Sequence, residues 1–317
     1  MPRIGSSDLD VYPLALGGNT FGWTSDESTS HDVLDAFVAA GGNFVDTADV
    51  YSAWAPGNSG GESETIIGSW LAAGGAARRD GIVIGTKLSQ HPDYSGLSAS
   101  NVAAAADASL ERLQTDRIDL YSAHYDDESV PLEETLGALD ALVRAGKVRQ
   151  VGISNYTPAR IRQWLAIAQR EGFQLPVALQ PHYNLVKRRP FETEYAPVAE
   201  AFDLGVTPYW SLAAGFLTGK YRTRDDFANA ARSGSVDGYF SDEGLAVVDA
   251  VSDIAEAHEV ELATIALAWL QAQPTVVAPI ASARILGQLP ALMAADGVTL
   301  TADELSTLDA TSARVPE

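Results

Sequence analysis

Four short segments of the chain each contribute a polar residue suited to moving protons and charge. Asn43-Phe44-Val45-Asp46 ends in a carboxylate, and Val83-Ile84-Gly85-Thr86-Lys87 ends in an amine. Leu120-Tyr121-Ser122-Ala123-His124 ends in an imidazole, and Tyr51 lies five residues beyond Asp46. An unperturbed phenol has a pKa of ~10 and is a weak acid at neutral pH. A neighbouring ammonium favours phenolate and so is expected to bring the Tyr51 value down. A carboxylate beside that ammonium keeps it charged and in place. A neutral histidine can donate a hydrogen bond to a carbonyl oxygen. Together Asp46, Tyr51, Lys87 and His124 form a set that polarises and protonates a carbonyl.

Such a set needs elements that bring it to one place. Asp46, Lys87 and His124 each follow an apolar run that reads as a buried strand. The wider pattern alternates strands with amphipathic helices, which argues for a parallel α/β fold. Strands are expected over 14–17, 44–46, 82–87, 118–124, 148–154, 177–180, 206–209 and 276–280. Helices are expected over 28–40, 62–73, 98–113, 131–145, 158–171, 195–204, 245–258 and 262–271. Thr157-Pro158 gives an N-cap followed by proline at the first helical position, and Ser98 caps an Ala-rich run. Eight strands alternating with helices predict a (β/α)8 TIM barrel spanning residues 1–317 as one domain. Residues 1–13 read as an N-terminal β-hairpin turning at Ser6-Ser7-Asp8. The stretch 211–243 reads as a long loop after the seventh strand, rich in Gly, Arg, Asp and Ser, that covers cofactor or substrate. Chemistry in such barrels sits at the C-terminal mouth, where these strand ends would meet.

Composition agrees with that size and class. The chain has 317 residues, 46% of them hydrophobic, and a barrel needs about 250. Its 21 Lys and Arg stand against 42 Asp and Glu, a formal charge of −21. Such a field repels nucleic acid and anionic membrane surfaces. A phosphorylated cofactor would then depend on a local cluster of cations. Cysteine is absent, which excludes disulfides, thiolate metal sites and cysteine nucleophiles and suits the cytoplasm. No run approaches the ~20 apolar residues of a membrane span, and the N-terminus lacks the apolar core of a secretory signal. His31, His91, His182 and His258 have no metal-ligand spacing and read as structural, so no metal is expected. Gly17-Gly18 and Gly60-Gly61 do not form a Rossmann fingerprint. Trp23, Trp54 and Tyr125 fall in loops beside strand ends, where they suit a substrate pocket or plain packing.

At this point the chain resembles the aldo-keto reductase family over nearly its whole length. The motifs are Phe44–Tyr51, Gly85-Thr86-Lys87, Ile118-Asp119-Leu120-Tyr121 with His124, and Gly152-Ile153-Ser154-Asn155. Gln180-Pro181-His182-Tyr183-Asn184 and Gly215-Phe216-Leu217-Thr218-Gly219-Lys220-Tyr221 complete them. The resemblance implies a barrel that binds NADP(H) without a Rossmann fold and transfers hydride to an aldehyde or ketone. By that analogy Tyr51 is the proton donor, Lys87 and Asp46 tune it, and His124 orients the carbonyl. Ser154, Asn155 and Gln180 would hold the nicotinamide carboxamide, and Tyr209, followed by Trp210, would stack on its ring. The pyrophosphate would lie along 211–220, at Ser211, Leu212, Gly215, Leu217, Gly219 and Lys220. Gly18 and Asn19 are further cofactor candidates. Ser282 and Arg284 match the part of the family that grips the adenosine 2′-phosphate, and Gln288 fits an adenine contact. Leu292 departs from the Asn that many relatives carry. The expected partner is a small carbonyl compound, with the chain a monomer or weak homo-oligomer. Two other readings share the scaffold: an NADPH-binding sensor of the potassium-channel β-subunit type, and a Schiff-base aldolase using Lys87. The pairing of Lys87 with Asp46 opposes the second, since an imine-forming lysine must be neutral.

Overall fold

The computed structural model describes residues 1–228, 230 and 233–316. Its main sheet consists of strands that the sequence makes apolar and, in the middle of the series, buried on both faces. In chain order the strands are β1 (Ala15–Gly17), β2 (Phe44–Asp46), β3 (Val83–Leu88), β4 (Gln90–His91) and β5 (Tyr94–Ser95). Then follow β6 (Ile118–Ala123), β7 (Val148–Ser154), β8 (Pro176–Gln180), β9 (Gly205–Val206) and β10 (Ile280–Ala281). Every residue of β3, β6 and β8 is buried, as expected where helices cover a parallel sheet. The eight-stranded sheet runs β10-β1-β2-β3-β6-β7-β8-β9 with parallel neighbours. A parallel bridge between Val206 and Val276 joins its two ends. This is the expected (β/α)8 arrangement.

Register decides where the site falls. Asp46 lies opposite Gly85, Lys87 opposite Ser122, and Ser154 opposite Gln180. The C-terminal ends of β2, β3, β6, β7 and β8 therefore share one rim. Both expected helix starts are present: Thr157 accepts from the Arg160 N–H at 3.2 Å, and Ser98 from the Asn101 N–H at 3.4 Å. At the opposite end, Ile4, Leu9 and Val11 pack with Ala15, Phe44 and Leu120 and close the barrel floor. The N-terminal hairpin is a tight turn with one antiparallel bridge, Arg3 to Asp10, rather than a ladder. Its backbone must pass close to the chain at 177–205. A Cβ at Gly5, where φ is +48°, would sit 2.4 Å from the carbonyl oxygens of Asp203 and Val177.

Several elements differ from expectation. The second helix runs Glu62–Asp80, with Gly75 as a non-helical joint inside it. The expected helix at 195–204 is a π-turn, Phe191–Tyr195, followed by Ala196–Ala201. The seventh and eighth strands have only two ladder residues each. The pair β4–β5 and the C-terminal helix Ala302–Ser312 were not expected. The stretch 211–243 is built of short turns at Ala213–Thr218 and Arg224–Asp226 and a helix at Ser233–Asp237. Its apolar residues Phe216, Leu217, Phe227, Val236 and Tyr239 are buried, which gives a chain of irregular spacing something to fold on. Residues 229, 231 and 232 of that stretch lie outside the described residues.

Candidate active site

Lys87 stands at the centre of the rim, 1% exposed. Its Nζ donates to Asp46 Oδ2 at 2.8 Å, to the Thr47 carbonyl at 2.6 Å and to the Tyr51 hydroxyl at 3.2 Å. Three donors on one ammonium thus meet three oxygens, one from the last residue of β2 and two from the short segment after it. The other oxygen of Asp46 accepts from Gln180 Nε2 at 2.9 Å. Tyr51 lies between the Trp54 and His124 rings, at centroid distances of 6.0 and 6.1 Å. The four residues expected to act together are together.

The electrostatics correct one expectation. Burial pushes the Tyr51 phenol above its usual value, Lys87 pulls it down, and Asp46 adds to the rise. The net direction is up, so Lys87 limits the rise without reversing it. Tyr51 is thereby kept protonated at neutral pH, which is what a proton donor needs. Burial alone would lower Lys87, but Asp46 and Tyr51 outweigh it and hold the ammonium above its usual value. A lysine so held is poorly suited to imine formation. Burial and the adjacent Lys87 charge keep His124 well below the usual histidine value, hence neutral.

A cavity of about 1720 Å³ opens over this group. That exceeds the ~300–1,000 Å³ of an ordinary small-ligand pocket. Tyr51, His124, Trp23, Trp54 and Tyr125 line one part of it, and Asn155, Gln180 and Tyr209 the floor beside them. The Tyr209 hydroxyl donates to Asn155 Oδ1 at 2.9 Å, and Asn155 Nδ2 donates to the His124 carbonyl at 2.9 Å. Trp210, Ser211, Leu212, Gly215 and Lys220 line the next part, then Asn19, Ser282, Arg284 and Gln288. Ser282 Oγ donates to Asn19 Oδ1 at 2.7 Å, and the Arg284 N–H donates to Gln288 Oε1 at 2.8 Å. Leu292 also faces this cavity.

Gly18, Ser154, Leu217 and Gly219 do not line the cavity. The Ser154 hydroxyl donates to the Gln180 carbonyl at 3.0 Å and Leu217 is fully buried, so both support the wall.

The backbone beneath the cavity is held in an unusual path. Trp210, Ala213 and Ala214 all have positive φ, at 55°, 48° and 56°, and Gly215 follows at 94°. Side chains rarely tolerate that region, and clusters of it mark binding sites. Asn184, fully buried, helps fix the path by donating to the Trp210 carbonyl at 2.9 Å. Among the described residues, Lys220 and Arg284 make no ion pair. The Lys220 ammonium lies 4.8 Å from the Tyr221 ring centroid.

Comparison with known proteins agrees with this geometry. Residues 13–313 match the aldo/keto reductase family. The chain belongs to that family. It is 32% identical to the uncharacterized oxidoreductase YrpG of Bacillus subtilis, over 96% of this chain and 94% of that protein. It is also 32% identical to a probable voltage-gated potassium channel subunit beta of Oryza sativa subsp. japonica, over 89% and 86%. Norsolorinic acid reductase B of Aspergillus parasiticus is 29% identical over 96% and 81%.

In this aldo-keto reductase two site features escaped the sequence. His182, expected to be structural, lines the cavity. It stacks on Tyr209 at 5.4 Å and bonds the Tyr239 hydroxyl at 2.7 Å. Burial lowers its pKa to about 4. A lone histidine after a strand carries no spacing signal to find it by. Asp49, between Asp46 and Tyr51, lies behind the cavity wall, fully buried, and among the described residues neither of its carboxylate oxygens has a hydrogen-bond partner. Its position inside the motif was visible, but its burial was not.

Proposed function

We propose that the protein is an NADPH-dependent carbonyl reductase in which Tyr51 is the general acid. The observation that carries this reading is the Lys87 ammonium, bound at once to Asp46, Thr47 and Tyr51 beneath a large cavity. NADPH, when bound, supplies the hydride. Tyr51 gives its hydroxyl proton to the carbonyl oxygen, and Lys87 stabilises the phenolate left behind. Asp46 keeps Lys87 charged and fixed. Neutral His124 directs the carbonyl oxygen towards Tyr51 by hydrogen bonding.

The cavity suits the cofactor on chemical grounds. Asp225, Asp226 and Glu261 also line it, so phosphate groups would rely on Lys220 and Arg284, neither of which makes an ion pair among the described residues. A planar guanidinium is a good partner for a 2′-phosphate. Tyr209 offers a ring face for nicotinamide, with Asn155 and Gln180 beside it for the carboxamide. The aromatic series Trp23, Trp54, Tyr51, His124 and Tyr125 is continuous by ring contact. It favours an uncharged, apolar aldehyde or ketone. Trp54 and Tyr125 are 49% and 46% exposed, a wet aromatic rim of the kind that receives a ligand.

Initial rates of NADPH oxidation over a panel of aldehydes and ketones test this reading. Tyr51→Phe is expected to lower those rates by roughly 10²–10⁴-fold with cofactor affinity nearly unchanged. Rates near those of the unmutated protein in that variant would remove Tyr51 from the mechanism. The likeness to a probable channel subunit supplies a second reading, a cofactor-bound sensor with slow turnover. It is favoured if NADPH binds tightly while every carbonyl tested is reduced at a negligible rate.

A further inference from the structure

The catalytic ammonium takes its place from two strand ends, and both are gripped by a single turn of helix. Lys87 ends its apolar run on β3, and its neighbour Thr86 points to the opposite face of the sheet, as alternate strand residues must. There the Thr86 hydroxyl donates to Glu64 Oε1 at 2.6 Å. Asp46, the last residue of β2, supplies one of the oxygens that receive Lys87, and the others lie on the segment after it, which follows β3 through the Thr47 and Asp49 N–H groups donating to the Gly85 and Lys87 carbonyls at 2.8 and 3.0 Å. That segment is tied at Thr47, whose hydroxyl donates to Ser63 Oγ at 2.8 Å while its carbonyl accepts from Lys87. Ser63 Oγ passes the chain on to the Gly18 carbonyl at 2.8 Å. Thr47, Ser63, Glu64 and Thr86 are all buried, so water does not compete for these bonds.

The approach is close on both sides. A Cβ on Gly18 would lie 2.7 Å from Ser63 Oγ. Gly18 therefore has a role the sequence did not show: it lets the helix start reach the rim. Glu64 is itself fixed by Arg112, whose Nε donates to Oε2 at 2.7 Å. Glu62, one residue before Ser63, accepts from the Ser59 and Gly60 amides and closes the loop leading into the helix.

We propose that Ser63 and Glu64 are positioning residues that hold the Thr47 carbonyl and Lys87 in register, so that the ammonium reaches the Tyr51 phenol. The inference rests on Tyr51 and Lys87 being the proton-handling pair. Neither Ser63 nor Glu64 touches the cavity, and both act through the threonine each one holds.

The test uses the full chain with Ser63→Ala, Thr86→Val and Thr86→Ser. Thr86→Val removes the bond to Glu64 while leaving the Glu64–Arg112 pair intact, and so avoids the folding risk of altering Glu64. With the ammonium less well placed, the phenolate loses stabilisation and the Tyr51 pKa rises. Ser63→Ala and Thr86→Val are expected to lower kcat about tenfold, a fraction of a general acid's contribution. The alkaline limb of kcat/KM should move up by about one pH unit, since a tenfold loss of phenolate stabilisation is one unit. Thr86→Ser, which keeps the hydroxyl, should lie close to the unmutated protein, and NADPH affinity should not change. A second readout needs no turnover. The tyrosinate absorbance of the cofactor-free protein, less that of Tyr51→Phe, should titrate at higher pH in Ser63→Ala. An alkaline limb and a tyrosinate titration unmoved in both variants, whatever the melting temperature does, would overturn the proposal. If Tyr51→Phe itself kept full activity, the reading of the site would fall and this inference with it.

Discussion

The two mouths of the barrel treat buried charge in opposite ways. On the floor side Asp119, 1% exposed, accepts from the Ile84 N–H at 2.9 Å, Arg79 at 2.8 Å and Arg149 at 3.0 Å. Its charge is met by those two guanidiniums, by a third from Arg117 at 3.9 Å and by an amide, and apolar side chains close the space beside it. On the rim side Asp49 is equally buried, its two carboxylate oxygens have no hydrogen-bond partner among the described residues, and the Glu64 carboxylate is the charge that acts on it most. Non-glycine residues with left-handed backbone also gather there, at 210–214. The floor pairs its buried carboxylate with cations, while the rim leaves a buried carboxylate without one in hydrogen-bond contact. Mutations at the two ends should therefore separate stability from rate.

The largest effect is expected at the rim. Lys87→Met should lower carbonyl reduction at least as far as loss of Tyr51, by roughly 10²–10⁴-fold. Asp46→Asn should be milder, since it loosens the ammonium without removing it. Steady-state kinetics with an unshifted pH profile in Lys87→Met would mean that another group tunes Tyr51. The floor should give the converse. Asp119→Asn leaves the buried Arg79 short of its counter-charge, and breaking a buried pair costs roughly 3–5 kcal/mol. Urea denaturation should show that loss, while the rate per folded molecule stays at its unmutated level. A change in rate comparable to the change in stability would erase the contrast between the two ends.

Asp49 sharpens the comparison through pH. Burial and the nearby Glu64 raise its pKa from 3.8 to about 7. The folded state then binds the proton more tightly than the unfolded state does. Its stabilising contribution is complete below pH 3.8 and is lost as pH rises through about 7. Asp49→Asn removes this dependence and should melt higher than the unmutated protein at pH 8, by up to about 4 kcal/mol of stability given 1.36 kcal/mol per unit. Melting curves from pH 4 to 8 that fall in parallel for both proteins would show that Asp49 does not titrate in that range. The smallest effect is expected at the outer edge of the cavity. Arg284→Ala should raise the KM for NADPH about tenfold, the scale of one charge-assisted contact, and leave that for NADH unchanged. Equal KM values for the two cofactors in the unmutated protein would refute the role given to Arg284.

Much of this site was legible because strand ends announce themselves. Phe44-Val45 before Asp46 and Val83–Thr86 before Lys87 are apolar runs that stop at a charge, and parallel pairing then aligns their ends. Burial is not legible in that way. Nothing in Asp46–Tyr51 shows that desolvation outweighs Lys87 at the phenol, or that Asp49 faces a carboxylate rather than solvent. The pair β4–β5 escaped because two-residue strands such as Gln90–His91 are too short for any alternation. The shape of 211–220 escaped because its path depends on Asn184, a residue 26 positions from the Trp210 carbonyl it holds. Ser63 and Glu64 read as an ordinary helix start, and only the distances to Thr47 and Thr86 give them a task.

The plug at the barrel floor also bears on how the chain reaches this state. Residues 4–11 precede every strand of the barrel along the chain, yet the backbone that holds Gly5 is supplied by residues 177–205. Contacts so distant in sequence form slowly, since the intervening loop must close first. The floor is therefore among the last parts of the molecule to seal, after β3 and β6 have paired next to each other in the sheet. In a pulsed hydrogen-exchange experiment during refolding, the amides of Ile4 and Val11 should gain protection later than those of β3 and β6. Until then the inside of the barrel, the driest part of the finished protein, remains open to solvent from below.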